Sequence, residues 1–341
     1  MKMKDTLKYR NIWLGCAMIW IVLYHTEVYM SIGLLRYFKG MGYGGVDICL
    51  FASGIGCYFS LNKDPEIINF FKRRFIRIAP TYWCFICIWF IYRALIGKLK
   101  LSAVLGNVLG IQSLTGLGNE FNWYISALLV LYILAPIFKA IVDKSKKDIH
   151  NVLMIVLLLG ISLVYWGADK FIIIATRVPI FYVGMIYAKH CCEEKELKGK
   201  CIFLHIITMI VGIGIYFLFQ FEFTDYLWKY GLYWYPFILI TPGMCIIISL
   251  AMSFLERCKW CGWISKILTL IGNYSFEIYL VHMLIFKGTK YLIETKSIIP
   301  NTNEIWFASS AIVVCGCVLL RNISQKVEEI FIDKNKWLSE G

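Results

Sequence analysis

Charge is scarce in this 341-residue chain: Asp, Glu, Lys and Arg together make up 17% of it, against about 25% in soluble globular domains. No hydrophilic stretch is long enough to build a soluble domain of ordinary size. Internal repeats and low-complexity segments are absent as well. The charge that is present leans one way, with 35 Lys and Arg against 22 Asp and Glu and a formal net charge of +13. Where those cations lie argues against nucleic acid as a partner. They fall in short loops between apolar runs, and basic charge there orients a membrane protein and meets anionic lipid. The two spaced ligand pairs of a zinc finger are also missing, so no metal is expected. Of the 13 cysteines, Cys16, Cys49, Cys57, Cys84, Cys87, Cys245, Cys315 and Cys317 lie inside apolar runs, where Cys acts as a small hydrophobe. Cys258 and Cys261 form a lone CxxC, and Cys191, Cys192 and Cys201 share another loop. The run after Arg10 lacks a small-residue cleavage site and is expected to stay as the first helix rather than leave as a signal peptide.

What the chain has in excess is apolar surface: 59% of its residues are hydrophobic, and the mean hydropathy is +0.67. Runs of spanning length fall at about 11–29, 42–61, 78–97, 122–142, 150–168, 171–188, 201–221, 233–254, 268–287 and 304–320. Segment 101–114 is too short and too Gly-interrupted to span, and is expected to be re-entrant or to lie on the surface. Basic residues test the count of ten. The termini and the loops on their side carry 24, from Lys2 through Lys63, Lys72, Lys139, Lys189 and Arg257 to Lys336, whereas the alternate loops carry nine. A wrong helix count would scramble that alternation. The expectation is an all-α integral membrane protein of about ten transmembrane helices, with both termini cytoplasmic and 1–341 forming a single membrane domain.

A charged side chain inside a span is costly, so each one needs an explanation. Six stand out: His25, Asp47, Arg93, Arg177, Glu277 and His282. His25 follows the cytoplasmic Arg10 by 15 residues, roughly 22 Å along a helix, in the outer part of a bilayer. Asp47, Arg93, Arg177 and His282 fall at similar depth on other helices, with Glu277 nearer the middle of its span. Each alone could be a structural ion pair or a snorkelling end. Together they favour a polar cavity, which could serve an active site or a transport path. Near the inner face, Lys72 to Arg77 reads KRRFIR. Ordinary positive-inside charge accounts for it, but Arg73, Arg74 and Arg77 could also clamp an anionic cofactor through paired donors. Close helix packing accounts for Ser53 and Gly54. The aromatic clusters at Tyr82-Trp83, Trp123-Tyr124 and Tyr233-Trp234-Tyr235 sit at span ends and read as interfacial belt.

Four patches resemble a known family in order along the chain. RNIWLGCAMIWIVLYH, ending on His25, resembles the opening helix of the membrane acyltransferase-3 family of bacterial sugar O-acyltransferases. GVDICLFASG from Gly45 to Gly54 resembles its Gly-Val-Asp…Ser-Gly motif, and FFKRRFIRIAPTYW its basic run. GNYSFEIYLVH, from Gly272 to His282, resembles its late motif. One position departs: Leu14 stands where the family often carries Arg eleven residues before the His, with Arg10 one helical turn earlier.

The resemblance implies an O-acetyltransferase of the cytoplasmic membrane. Acetyl-CoA, or another acyl-CoA, would be its co-substrate, and a hydroxyl of a cell-surface glycan or lipid-linked sugar its acceptor. His25 would be the base, with Asp47 orienting it or supporting its charged form; an acyl-His25 intermediate is the alternative. Arg73, Arg74 and Arg77 would meet the CoA phosphates, and Arg93, Arg177, Glu277 and His282 would line the substrate cavity. Two rivals come from other classes. A transporter or flippase of a lipid-linked sugar would use the same cavity without bond chemistry, and a membrane sensor or assembly subunit would leave the buried charges without a mechanistic role.

Overall fold

The computed structural model describes residues 2–116, 123–164, 169–223, 226, 230–257, 262–295 and 297–337. Helices follow one another along all of them, and among the described residues the only β pairing is one isolated bridge, Lys2 to Glu196. A 3₁₀ segment, Met3–Tyr9, leads into α1 (Arg10–His25), α2 (Gly33–Gly40), α3 (Gly45–Lys63) and α4 (Ile67–Leu95). Then come α5 (Leu101–Val108), α6 (Gln112–Thr115), α7 (Trp123–Lys144), α8 (Asp148–Val164), α9 (Asp169–Ala175) and α10 (Val178–Cys192). The last five are α11 (Gly199–Glu222), α12 (Pro236–Leu255), α13 (Gly262–Asn273), α14 (Ser275–Glu294) and α15 (Asn303–Trp337).

This is an all-α integral membrane protein. Among the described residues seven stretches are long and apolar enough to span by themselves, and the bent pair α13–α14 makes an eighth if the two are counted as one span. The two other expected spans are the shorter helices α1, 16 residues, and α8, 17 residues. Helices α8, α11 and α15 leave large apolar side chains exposed, among them Leu153, Val156, Phe203, Ile210, Val314 and Leu319. Water would penalise that surface, whereas acyl chains suit it.

Four boundaries differ from the sequence reading. The first span stops at His25 rather than 29, where Thr26 turns back and its hydroxyl donates to the Leu23 carbonyl. The basic run is not a loop before a span. It forms the first turns of α4, because no helix breaker stands between Pro65 and Pro80. At 29 residues α4 is roughly 43 Å long, well beyond a hydrocarbon core of about 30 Å, so its basic end reaches the interface. The ninth span is not continuous: it breaks at Tyr274, after Gly272-Asn273, both poor helix formers. The sixth is interrupted at Thr176-Arg177, just before Pro179, which has no N–H to donate to the Ala175 carbonyl. Segment 101–114 holds two short helices of less than spanning length, and α5 is fixed to α4 by Tyr82 Oη donating to the Asn107 carbonyl at 2.7 Å. Cys258 and Cys261 lie outside the described residues, as do residue 122 and residues 165–168 at the ends of two expected spans.

The contacts divide the chain into two compact units. The first comprises Met1–Ala17, Tyr43–Pro65 and Trp123–Asn273. Its core is the crossing of α3 with α10, where a Cβ on Gly54 would stand 2.1 Å from the Phe181 carbonyl oxygen and one on Gly184 2.2 Å from that of Phe51. No side chain fits there, so the two backbones touch. The second unit comprises Met18–Gly42, Glu66–Asn122 and Tyr274–Gly341. In it α15 packs against both α4 and α14, and Trp20 Nε1 donates to the Phe38 carbonyl at 2.7 Å, tying α2 to the end of α1.

Candidate active site

Three polar clusters emerge, each inside one unit. The first joins His25 and His282, whose rings meet edge to face with centroids 5.0 Å apart. Each imidazole Nδ1 lies against the carbonyl four residues back on its own helix, Ile21 at 2.9 Å for His25 and Ile278 at 2.8 Å for His282. A carbonyl only accepts, so Nδ1 carries the proton in both rings, and in the neutral imidazole Nε2 presents the lone pair. The contact that orients the His25 ring at Nδ1 is therefore the Ile21 carbonyl. His282 is wholly buried among His25, Tyr279 and Phe286, and its Nε2 has no hydrogen-bond partner among the described residues. His25 is half-buried, which leaves it the accessible member of the couple. The Lys287 ammonium lies over the Trp89 ring at 5.5 Å, within electrostatic reach of both His25 and Arg93. Arg93, at the end of α4, donates to the Lys98 carbonyl at 2.8 Å.

The second cluster, in the other unit, joins Asp47 and Arg177, each 1% exposed, with Arg177 Nε 3.5 Å from Asp47 Oδ1. Their meeting follows from helix register. Asp47 lies seven residues before Gly54 and Arg177 seven before Gly184. Parallel helices that cross at the two glycines therefore bring the acid and the base to one level. Both sit at helix beginnings, Asp47 in the first turn of α3 and Arg177 at the N-cap of α10. The Trp234 ring covers one side of the guanidinium, 4.9 Å from centroid to carbon, and Trp123 stands at 5.6 Å.

The third cluster gathers at the basic start of α4. Glu277, in the first turn of α14, faces Arg321 Nε at 4.0 Å and feels the charge of Arg77. Arg321 also stacks over the Tyr274 ring at 4.4 Å. Arg73 and Arg77 are exposed, whereas Arg74 is buried with its guanidinium 5.3 Å from the Phe70 ring. Of the three arginines expected to clamp phosphate, Arg73 and Arg77 are the exposed ones, one turn apart on the same face of α4.

A sequence profile described as an acyltransferase domain, that of the acyltransferase-3 group, matches residues 12–322, nearly the whole chain. The chain belongs to the acyltransferase-3 family. It is thus a multi-pass membrane acyltransferase. No curated protein and no solved structure matches it.

The sequence reading of this acyltransferase missed several partners. Trp123 and Trp234 read as interfacial belt, yet they flank Arg177. Arg321, one of the 24 basic residues counted on the side of the termini, faces Glu277. Lys287, one of the nine basic residues counted in the alternate loops, is half-buried beside the histidine couple. The missing signal is pairing: each buried charge demands a counter-group, but sequence spacing does not say which helix supplies it. Asn11 and Asn273 carried such a signal, two amides on apolar helices, and Asn11 Nδ2 donates to Asn273 Oδ1 at 2.7 Å.

Proposed function

We propose that this acyltransferase carries an acetyl group from cytoplasmic acetyl-CoA to a hydroxyl of a cell-surface or lipid-linked glycan, in the cytoplasmic membrane, with His25 Nε2 as the base. The observation that carries the proposal is the half-buried His25 ring, whose Nδ1–H is held by the Ile21 carbonyl while its Nε2 lone pair stays available. A sugar hydroxyl is a poor nucleophile until its proton is drawn away, and a neutral imidazole does this near neutral pH. In that step the hydroxyl proton passes to His25 Nε2 as the oxygen bonds to the thioester carbonyl carbon. The C–S bond then breaks, and the departing thiolate takes the proton. His282, packed against the same ring, keeps His25 in place. Arg73 and Arg77 hold the phosphates of the donor at the interface.

The test is release of free thiol from acetyl-CoA by the purified protein, with a membrane glycan fraction as acceptor. His25→Ala is expected to lower transfer about 10²–10⁴-fold while the size-exclusion profile stays that of wild type. His282→Ala is expected to lose less. Turnover near wild type in His25→Ala would take this imidazole out of the reaction. No thiol release by wild type with any glycan fraction would instead favour a transporter.

A further inference from the structure

The Asp47–Arg177 pair holds hydrogen-bonding capacity that nothing among the described residues uses. Asp47 Oδ2, Arg177 Nε and Arg177 Nη1 are all buried and have no hydrogen-bond partner among the described residues. The closest approach of the two groups, 3.5 Å from Nε to Oδ1, is an ion pair too long for a good hydrogen bond. Buried polar atoms in folded proteins nearly always find partners, and charged ones cost most when they do not. Here an acceptor and two donors stand idle together.

We propose that this pair is a binding site for a neutral group that both accepts and donates a hydrogen bond, a hydroxyl or an amide. Two features select that chemistry. The pair is neutral overall, so an anion would compete with Asp47 for Arg177 and gain little. The idle atoms are of both kinds, so a group with a lone pair and a proton satisfies Arg177 and Asp47 at once. Trp123 and Trp234 occupy the surroundings of the guanidinium, which leaves its nitrogen edge to meet the ligand. Around them Tyr43 donates to the Tyr233 carbonyl at 3.0 Å and packs edge-on against Phe237. Tyr43, Trp123 and Tyr233 are only half-buried, so the aromatic rim is reachable.

The inference rests on the acyl-transfer reading, whose reactants offer this chemistry from two sources: hydroxyls of the acceptor sugar, or the amides of the donor's pantetheine arm. Saturation-transfer NMR on the purified protein, with pantetheine and with methyl glycosides of glucose and N-acetylglucosamine as probes, separates them. Asp47→Leu/Arg177→Met removes both charges together and avoids stranding one of them. Arg177→Lys keeps the pair neutral but abolishes the guanidinium edge, and it serves where the apolar pair fails to fold. The expected result is binding of at least one probe by wild type and at least tenfold weaker binding by the folded variants. Loss confined to pantetheine assigns the donor arm; loss confined to the glycosides assigns the acceptor. Equal binding by wild type and variants, or no binding by wild type, overturns the site and leaves a structural ion pair. Probe binding lost in the variants, by a wild type that never cleaves acetyl-CoA, would sink the acyl-transfer reading alone.

Discussion

At the scale of single residues, the chemistry depends on which atom of each polar side chain is already committed. Arg73 and Arg77 are exposed on one face of α4, while Arg74 is buried against Phe70. Replacing all three by Gln should therefore weaken acetyl-CoA binding mainly through two of them, and Arg74→Gln alone should act mainly on stability. Equilibrium binding and melting of the single and triple variants check this; a folded triple variant with wild-type affinity would remove the clamp. Glu194 shows commitment of another kind. Lys2 and Lys4 both bond to it and hold its carboxyl down, from the usual 4.5 to about 2. A depressed carboxyl stabilises the fold above its unfolded value and loses that contribution as pH falls through the folded one. Docking of the amino-terminal segment should hold above about pH 4.5 and weaken progressively toward pH 2. Limited proteolysis of that segment across this range reads it, and Glu194→Gln should flatten the pH dependence.

At the scale of elements, the α3–α10 crossing sets the register of the Asp47–Arg177 pair. Gly54→Val would drive a side chain into the Phe181 carbonyl, and the helices must part to admit it. Overpacking of this kind costs about 1–3 kcal/mol, so a lowered melting temperature in detergent is expected. Gly160, in α8, meets nothing within 4 Å, and Gly160→Ala should be neutral or slightly stabilising. Similar melting of the two variants would contradict the crossing. Gly54 was legible beforehand, because small residues in an apolar run announce close backbones. The break at Tyr274 was harder to see: apolar composition continues straight through Gly272-Asn273, and a hydropathy window averages over two weak helix formers. Helix α2 was missed for a similar reason. Eight residues fall below any spanning window, although Leu34, Leu35, Tyr37 and Phe38 leave apolar surface exposed.

For the whole molecule, the sequence told most about which stretches form apolar helices and least about what meets what. Runs of apolar residues are local, and each expected span has its helix or interrupted helix. Pairing is non-local, and Trp123, Arg177 and Trp234 are brought together only by the tertiary fold. Sidedness rests on the alternation of 24 and nine basic residues. Cysteine substituted at Lys63 and at Lys290 should label from opposite sides of the membrane, and labelling of both from outside would refute the crossing number. The separation of partners along the chain also bears on synthesis. Asp47 leaves the ribosome 130 residues before Arg177 does. At about 5–20 residues per second that is roughly 6–26 s during which α3 exists with an acid and no counter-charge. Newborn α3 is thus a poor guest in lipid by itself, and its settling waits on a helix not yet made.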